Sequence, residues 1–416
     1  MHKLSHTLLV VNPLISATYL SKTLRNLNFK LIAVYNLSNF SDEEVDARFQ
    51  PRLFDESYQI RSEAELPEII NKLKAYHFDF IFYGSDNAVH LGDLIAKELN
   101  FTPRNFLETS SFRSDKYQMQ EALKLAGLSA IQQIHLKTQP SSEEIKILNS
   151  WDFPWIVKPT NAAGARGVQL IHNLDELNTY LMNPKTYFLG SAIQDYLVQK
   201  CLEGIEYYVD SFSAEGVHHI VSIGSYVKYK LNGRKIYRKI RSVDRDSNEF
   251  KACANFITQV LSAVGLNNGF GHSEMFLTSK GPRLVEVNPR VSGFEGMANR
   301  MSKLVHGYTQ LDFLYNYLQG LPSPEVHEGP KIYGGFYLLQ ALEPQLIKHL
   351  NVEKLNQLSS YREHQLLKKL PFDVKHPPQD LFDTMCYVLM SHSDKAVLEA
   401  DTLALEQMEK NNELFS

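Results

Sequence analysis

The feature that most constrains the fold is an alternation of short apolar runs with helical patterns in the first part of the chain. Apolar runs occupy residues 8–11, 30–37 and 79–85, and stretches with helical periodicity lie at 16–27 and 65–76. Strands and helices that alternate over intervals this short favour a parallel sheet with helical crossovers. We therefore predict an α/β fold that begins with such a sheet.

The turn after the first predicted strand reads VVNPLIS and contains no G-x-G-x-x-G sequence. That sequence is the fingerprint of dinucleotide sites in Rossmann folds, because its glycines let the backbone approach a pyrophosphate closely. The N-terminal lobe is thus predicted to be Rossmann-like in architecture but to lack this type of binding site.

Length and composition set the broad class. The 416 residues exceed what one hydrophobic core usually serves, so roughly two to four lobes are expected. The 43 Lys and Arg residues against 47 Asp and Glu residues give a formal charge of -4 without a basic block, which disfavours nucleic acid as a partner. No apolar run approaches the roughly 18 residues that span a bilayer. A soluble, cytoplasmic chain without a membrane partner is therefore expected.

Cysteine and histidine spacing matches neither a disulfide framework nor a zinc site. Cys201, Cys253 and Cys386 are far apart in the sequence, which predicts reduced structural thiols. His218 and His219 are adjacent in a predicted strand and would point to opposite faces. The chain contains no H-E-x-x-H sequence. These spacings disfavour the common zinc and disulfide patterns.

A hairpin predicted over residues 270–290 carries an unusual set of charges. Its strands GHSEMFLT and RLVEVNPR flank a turn predicted at residues 279–282. If the numbers of paired positions sum to about 561, Glu274 lies opposite Glu286 or Asn288. Two carboxylates about 4 Å apart repel each other by roughly 4 kcal/mol at an effective dielectric constant near ~20, and this repulsion requires compensation.

Two kinds of compensation are consistent with this pattern. A hard cation such as Mg²⁺ takes oxygen ligands from one or two carboxylates and completes its shell with phosphates and water. Alternatively, the acids pair with Arg283 or Arg290 on a surface hairpin. Strand periodicity places Glu286, Asn288 and Arg290 on one face, so that a metal ion and a guanidinium could act on the same phosphate.

The stretch IVKPTNAAGARGV, residues 156–168, has the composition of a loop that covers an anion. A predicted strand delivers Lys158, and a small-residue loop with Gly164 and Gly167 follows. Small residues let backbone N–H groups approach phosphate oxygens, and the lysine adds a point charge. Because the lysine precedes the glycines, the stretch is not a Walker A loop. An ordinary glycine-rich turn is the alternative interpretation.

The stretch VQKCLEGIEYYVD, residues 198–210, is a third candidate site. Gln199 ends an apolar strand, and the main chain from Lys200 to Leu202 could follow the edge of a pocket. Glu206 comes after a predicted turn at Gly204. Main-chain donor and acceptor groups at this spacing can contact an adenine edge, and a carboxylate can bind a ribose diol. An ordinary strand-turn-strand is the alternative interpretation.

In their order along the chain, these motifs resemble the ATP-grasp ligase superfamily. S-D-K is followed by V-K-P-x4-G-x2-G-V, Q-x-x-L-x-G-x-E, H-x-E and E-x-N-P-R between about residues 110 and 300. The resemblance implies an ATP-grasp fold with α+β ATP-binding lobes and an N-terminal Rossmann-like pre-ATP-grasp domain. The implied domains are residues 1–107 for the Rossmann-like domain, 108–198 for a first lobe with a glycine flap, 199–320 for a second lobe with a metal site, and 321–416 for a C-terminal mixed α/β extension.

The resemblance also implies a nucleotide and metal site. The residues implied to contact ATP are Lys116, Lys158, Gly164 and Gly167 for the phosphates, Gln199 and the main chains of Lys200 and Leu202 for the adenine, and Glu206 for the ribose. The implied ligands of Mg²⁺, with Mn²⁺ as an alternative ion, are Glu274, Glu286 and Asn288. Arg290 matches the arginine near the transferring phosphate and the reaction intermediate.

The implied reaction forms an amide through an acyl phosphate, with release of ADP and phosphate, and it requires no side-chain nucleophile. The N-terminal lobe, the hairpin and the total length look most like the L-amino-acid ligase branch, whose substrates are small-molecule carboxylates and amines such as amino acids. Two alternatives stay open. One is a tailoring ligase that joins an amino acid to a non-amino-acid carboxylate in a biosynthetic pathway, and the other is a non-catalytic nucleotide-binding regulator. Formation of a homodimer also stays open.

Overall fold

The computed structural model describes residues 6–14, 17–36, 49–137, 139–160, 167–182, 187–188, 191–192, 195–231, 234–326 and 329–416. The chain divides into two compact units. The first consists of Met1–Gly204, Asp210–Ile220 and Ala252–Val291, and the second of Ile205–Val209, Val221–Lys251 and Ser292–Ser416. The four-domain division at residues 107, 198 and 320 stays a prediction. Within the described ranges, no helix combines the length and the apolar character needed to cross a membrane.

A four-stranded parallel sheet begins the first unit, as the alternating pattern predicts. Its strands, in the spatial order β3-β2-β1-β4, are β1 (Thr7–Val11), β2 (Lys30–Asn36), β3 (Glu56–Ile60) and β4 (Phe80–Tyr83). The helices between and after them are α1 (Ala17–Asn26), α2 (Leu66–Leu73) and α3 (Val89–Glu98). Strand β3 and helix α3 were not predicted. The ESYQI sequence of β3 is largely polar and exposed at the sheet edge, so it lacks the apolar run of a buried strand.

The segment after this sheet folds as two helices that meet at Asp115. Helix α4 (Ser110–Ser114) ends at Asp115, whose backbone is extended, and helix α5 (Lys116–Leu125) begins at the next residue. The Asp115 carboxylate accepts a hydrogen bond from the Gln118 amide over 2.8 Å. Asp115 is therefore an N-cap, and this cap places Lys116 at the first position of α5.

A second sheet in the first unit is antiparallel, with the order β5-β10-β6-β7. Its elements and their neighbours are β5 (Gln133–Leu136), α6 (Ser142–Leu148), β6 (Trp155–Pro159), β7 (Gln169–Ile171), α7 (Leu174–Met182), the short pair β8 (Tyr187–Phe188) and β9 (Ser191–Ala192), and β10 (Tyr196–Lys200). Trp155, Val157 and Val198 are buried in its core. Ser141 and Glu144 form a capping box at the start of α6.

The rest of the chain is largely antiparallel and helical. Its elements are β11 (Ile205–Ala214), β12 (Val217–Leu231), β13 (Arg234–Ser242), α8 (Asn248–Ala263), β14 (Gly269–Thr278), β15 (Gly281–Asn288), α9 (Met297–His306), α10 (Gln310–Leu318), β16 (Tyr333–Gln340), β17 (Gln345–Ile347), α11 (Val352–Asn356), β18 (Tyr361–Leu366), β19 (Phe372–Val374), β20 (Thr384–His392) and α12 (Lys395–Lys410). Within the second unit, β12, β13, β16, β20 and β18 pair in that order, each antiparallel to its neighbour. The mixed α/β class is thereby confirmed.

A buried ion pair fastens the N-terminal sheet to other parts of the first unit. Arg113 of α4 and Asp93 of α3 are 2.6 Å apart, and their side chains are 0% and 1% exposed. Arg113 also donates to the carbonyl oxygens of Val264 and Gly265, which follow α8. One guanidinium therefore ties α3, α4 and the end of α8 together. Removing one member of such a pair leaves an uncompensated buried charge.

We expect Arg113→Met to lower the free energy of unfolding of the first unit by about 3–5 kcal/mol, because Asp93 would lose its counter-ion in a buried place. Both tryptophans of the chain, Trp151 and Trp155, lie in this unit. Their fluorescence in equilibrium urea denaturation is therefore a suitable measurement. Lys97→Met is the matched control, because Lys97 pairs with Glu108 at the surface and its loss should change the urea midpoint little.

Candidate active site

The hairpin of β14 and β15 brings the two predicted carboxylates directly opposite each other. Glu274 pairs with Glu286, and His272 pairs with Asn288. A bulge follows Glu274, and the strands meet again at Thr278 and Gly281. The predicted opposition of the acids is thus confirmed, but the numbers of paired positions sum to one less than expected from His272 to Glu274 and to two less beyond the bulge. The predicted four-residue turn is also wrong, because β15 begins at Gly281 and the turn contains only residues 279 and 280.

Lys116 is the counter-ion of Glu286. Its ammonium lies 2.9 Å from the Oε2 atom of Glu286, and Asn288 donates its side-chain N–H to the Oε1 atom over 3.0 Å. Burial alone would raise the pKa of the Glu286 carboxyl, but Lys116, Asn288 and the nearby Lys158 hold this pKa well below its usual range. Burial alone would lower the pKa of Lys116, and Glu286 raises it above its ordinary value instead. Both groups are therefore charged at neutral pH.

Lys158 near the end of β6 is a second, differently placed cation. Its side chain is buried, and burial together with the charge of Lys116 lowers its pKa to about 8. The glutamates Glu286 and Glu274 only partly offset this effect. Charging this buried lysine costs free energy. A polyanion beside it would lower that cost by supplying the missing counter-charge.

Of the two glycines in the predicted phosphate loop, Gly164 lies outside the described residues. Gly167 has a φ of +77°, and a Cβ atom there would come within 3.0 Å of the Pro159 ring. The Tyr180 hydroxyl donates to the Gly167 carbonyl oxygen over 2.6 Å. Only glycine adopts this backbone conformation without strain. The contacts with Pro159 and Tyr180 pack Gly167 in place at the C-terminal end of the predicted loop.

Arg290 does not share the strand face that periodicity predicts, because β15 ends at Asn288. Its guanidinium instead contacts Asp86, which follows β4 of the parallel sheet. The Nε atom of Arg290 lies 2.8 Å from Asp86 Oδ1, and Nη2 donates to Oδ2 over 3.1 Å. Sequence analysis missed Asp86. The available signal was its place just after an apolar run, where the carboxyl ends of parallel strands commonly bind ligands.

The described residues of this cluster balance their charges. Three cations stand against three carboxylates, namely Lys116, Lys158 and Arg290 against Asp86, Glu274 and Glu286. A polyanion alone would upset this balance. A ligand that brings both signs of charge, such as a triphosphate with a divalent cation, preserves it. The cluster has the electrostatics of a site for a metal-bound polyphosphate.

The residues implied as metal ligands fit a hard cation in their chemistry. Glu274 and Glu286 supply carboxylate oxygens, and Asn288 can supply its Oδ1 atom because its N–H group is the one that faces Glu286. Such oxygen donors suit Mg²⁺ or Mn²⁺. In the part of the chain that the structure describes, no group of three or more His, Cys, Asp or Glu side chains is arranged to hold a metal ion. The proposed ligand set contains two such side chains, Glu274 and Glu286, together with the amide of Asn288.

The residues predicted to contact adenine lie at the end of β10. Gln199 is buried, and its Nε2 donates to Gln133 Oε1 over 3.1 Å, so its own Oε1 is the atom suited to an amino group. The Lys200 amide donates to the Gln132 carbonyl oxygen, so only the Lys200 carbonyl could contact a base edge. Leu202 lies beyond the strand, in irregular backbone.

Glu206 belongs to the second unit, where it is already paired. Lys228 of β12 approaches its Oε2 atom to 2.5 Å, and the Tyr237 hydroxyl donates to its Oε1 atom over 3.1 Å. The Lys228 ammonium also lies 4.2 Å from the centre of the Tyr237 ring. Neither partner was predicted, because all three residues are far apart in the sequence.

Comparison with known proteins identifies a domain that contains much of this geometry. Residues 151–298 match the family model of the ATP-grasp domain. The chain is 29% identical to dapdiamide A synthase of Enterobacter agglomerans over 276 residues, which cover 63% of this chain and 64% of that protein. It is 24% identical to L-arginine-specific L-amino acid ligase of Bacillus subtilis over 226 residues, which cover 53% of each. The chain thus matches less than two thirds of the length of either relative.

A solved structure shares the fold. The L-amino acid ligase of Bacillus licheniformis matches with a TM-score of 0.73, covering 97% of each chain at 18% sequence identity. At this level of identity the likeness concerns the fold alone. Together, these matches confirm the resemblance to the ATP-grasp superfamily and to its L-amino-acid ligases.

We expect Lys158 to titrate with a midpoint near pH 8, and Lys116→Met to raise this midpoint. The sign follows because the Lys116 charge disfavours a second ammonium, and because removing Lys116 leaves Glu286 to attract Lys158. The measurement is the pH dependence of the lysine ¹³Cε shifts in ¹³C-lysine-labelled protein. Lys124→Met, on the same helix as Lys116, should leave the midpoint unchanged. A constant or lower midpoint in Lys116→Met would contradict the predicted proximity of the two lysines.

Proposed function

The chain carries an ATP-grasp domain, and from this premise we propose that it is an ATP-dependent carboxylate–amine ligase that forms an amide or peptide bond. We propose further that it acts as an L-amino-acid ligase, with an amino acid among its substrates. The likeness to a relative that is named L-arginine-specific L-amino acid ligase supports this assignment. Use of ATP and Mg²⁺ is consistent with the cytoplasmic location expected from the sequence.

The observation that carries the proposal is the charge-balanced cluster on the first unit. Phosphoryl transfer needs little covalent help from a protein but much positioning and charge neutralisation. The cluster supplies both, because Lys116 starts a helix and Lys158 lies near the end of a strand. Glu274 and Glu286 sit on a hairpin beside them. We assign Lys116 and Lys158 to the triphosphate, and Gly164 and Gly167 to the loop that covers it.

In the first step, an oxygen of the substrate carboxylate bonds to the γ-phosphorus of ATP. The bond from that phosphorus to the β–γ bridging oxygen breaks, and ADP leaves with the electron pair. Arg290, Lys116 and Lys158 stabilise the negative charge on the phosphate oxygens during this transfer. The product is an acyl phosphate, whose carbonyl carbon is now activated.

In the second step, an amine that has lost its ammonium proton bonds through nitrogen to the activated carbonyl carbon. The carbon–oxygen bond to the phosphoryl group breaks, phosphate leaves with the electron pair, and nitrogen gives up a second proton to form a neutral amide. Neither step needs a side-chain nucleophile. We assign Arg290 to stabilise both the transferring and the departing phosphate.

Glu274, Glu286 and Asn288 would hold a magnesium ion, which supplies neutralisation of the phosphate oxygens when it is bound. For the rest of the nucleotide, we assign Gln199 to the adenine amino group and Glu206 to the ribose. The Lys200 carbonyl and the Leu202 main chain would contact the adenine edge. The pairing of Glu206 with Lys228 and Tyr237 supports its role, because a carboxylate held by two partners has a fixed orientation.

A tailoring ligase is the second candidate. It would join an amino acid to a carboxylate that is not an amino acid, within a biosynthetic pathway. The likeness to dapdiamide A synthase, a relative that is named for its product, is compatible with this version. Both candidates share the acyl-phosphate chemistry and differ only in the carboxylate.

The test is a screen of amino acids and organic acids, singly and in pairs, for release of ADP from ATP. We expect ADP release that depends on two substrates together, because the acyl phosphate turns over only when an amine consumes it. The pair that gives turnover also separates the two candidates, since it shows whether the carboxylate is an amino acid. Nucleotide binding without ADP release from any pair would favour a regulator and contradict the ligase.

We expect Arg290→Ala to lower turnover by a factor of about 10³ to 10⁵, the range found when an arginine that stabilises a transferring phosphoryl group is removed. Lys200→Ala is the matched control. The Lys200 side chain is 3.8 Å from the largely exposed Asp152, and only its main chain is assigned a role. Steady-state ADP release measures both variants. Comparable turnover of the two would show that Arg290 has no special role.

A further inference from the structure

The ion pair between Asp86 and Arg290 fixes a guanidinium but does not use all of its donors. Two N–H groups, on Nε and Nη2, face the Asp86 carboxylate, and Nη1 donates to the Val291 carbonyl oxygen over 3.1 Å. A guanidinium has five N–H groups. Two therefore remain without a partner among the described residues. Arg290 is oriented by three contacts and still has donors for an anion.

Asp86 is itself held at the carboxyl end of the parallel sheet. The Gly84 amide donates to the Val11 carbonyl oxygen over 2.7 Å, and a Cβ atom at Gly84 would lie 2.6 Å from the Asn12 carbonyl oxygen. The Ser85 hydroxyl donates to that same oxygen over 3.0 Å. The chain that carries Asp86 is therefore packed tightly against the end of β1, which gives the carboxylate a rigid base.

The contact with Asp86 also keeps the Arg290 guanidinium away from the other carboxylates that attract it. Glu286 and Glu274 both favour the charged guanidinium. They are the same carboxylates that we assign to the metal ion. Without Asp86, these two carboxylates would still attract the Arg290 guanidinium. The guanidinium would then neutralise the hairpin carboxylates rather than face the phosphate.

We propose that Asp86 is a positioning residue, whose carboxylate holds the Arg290 guanidinium in the orientation that receives the transferred phosphoryl group. The inference rests on the proposed function, since it takes Arg290 to act on that group. Asp86 acts through Arg290 and has no contact of its own with the reacting atoms. Removing the Asp86 carboxylate should therefore weaken binding of the transition state and leave the ground-state affinity for ATP nearly unchanged.

The test compares the affinity for ATP with the affinity for ADP plus aluminium fluoride, a mimic of the phosphoryl group in transfer, both with Mg²⁺ and measured by titration calorimetry. In Asp86→Asn the side chain offers one acceptor in place of two, so the guanidinium loses its fixed orientation. We expect the affinity for the mimic to fall by about tenfold to a hundredfold, and that for ATP by less than about threefold. Equal losses for both ligands, or none for the mimic, would overturn the proposal.

A double-mutant cycle shows whether Asp86 acts through Arg290. In the Arg290→Ala background, Asp86→Asn should have no further effect on the affinity for the mimic. Additive losses would overturn the proposal. Asp86→Glu retains the carboxylate and should regain part of the affinity, and it replaces the Asn variant if that variant does not fold. A Glu variant no better than Arg290→Ala would also count against a positioning role.

Asp55→Asn is the matched control. Asp55 also pairs with an arginine, Arg25, at 2.7 Å, but it precedes β3 and so lies at the opposite edge of the same parallel sheet. Its loss should leave both affinities unchanged. Because the mimic assay uses nucleotide alone, a failure of the ligase assignment would appear only in the turnover screen, and the two failures are distinguishable.

Discussion

Glu274 and Glu286 lie opposite each other on one hairpin. The placement of the other charged groups in this cluster depends on the repulsion between these two carboxylates. Two carboxylates in that arrangement repel each other, and three cations compensate for them, one on α5, one on β6 and one just after β15. Lys116 provides the direct counter-ion of Glu286 and Arg290 pairs with Asp86, while Lys158 is the costliest of the three to charge. The same repulsion that would weaken an ordinary hairpin makes this one suited to hold a divalent ion together with a polyphosphate.

The scaffold around this cluster is rigid where the chemistry needs it. The Asp115 cap fixes where α5 starts, and therefore where Lys116 stands. Burial in β6 makes the charge of Lys158 costly until a polyanion approaches, so that binding energy is available to a ligand with phosphates. The buried Arg113–Asp93 pair holds α3, and with it the end of the parallel sheet, in a fixed relation to α4. The start of α5 thus sets the position of Lys116, and burial in β6 sets the cost of charging Lys158, within the same unit.

Most of the secondary structure could be predicted, and the exceptions have physical reasons. Parallel strands such as β1 are buried on both faces and have continuous apolar sequences. The edge strand β3 is largely exposed, and its sequence is largely polar. The hairpin register was missed because the turn has two residues instead of the predicted four and because a bulge after Glu274 shifts the pairing by one position; alternation of side chains reveals neither. Periodicity also extended the β15 face to Arg290, since alternation does not reveal where a strand ends.

The sequence by itself determined the chemistry, because residue types and their order along the chain are enough to indicate lysines for phosphates, acids for a metal and a family of folds. Only the tertiary structure decided which charges meet. Arg290 and Asp86 are 204 positions apart, and no local pattern connects them. Their contact exists because the N-terminal sheet and the hairpin fold into the same unit, where opposite charges pair at short range.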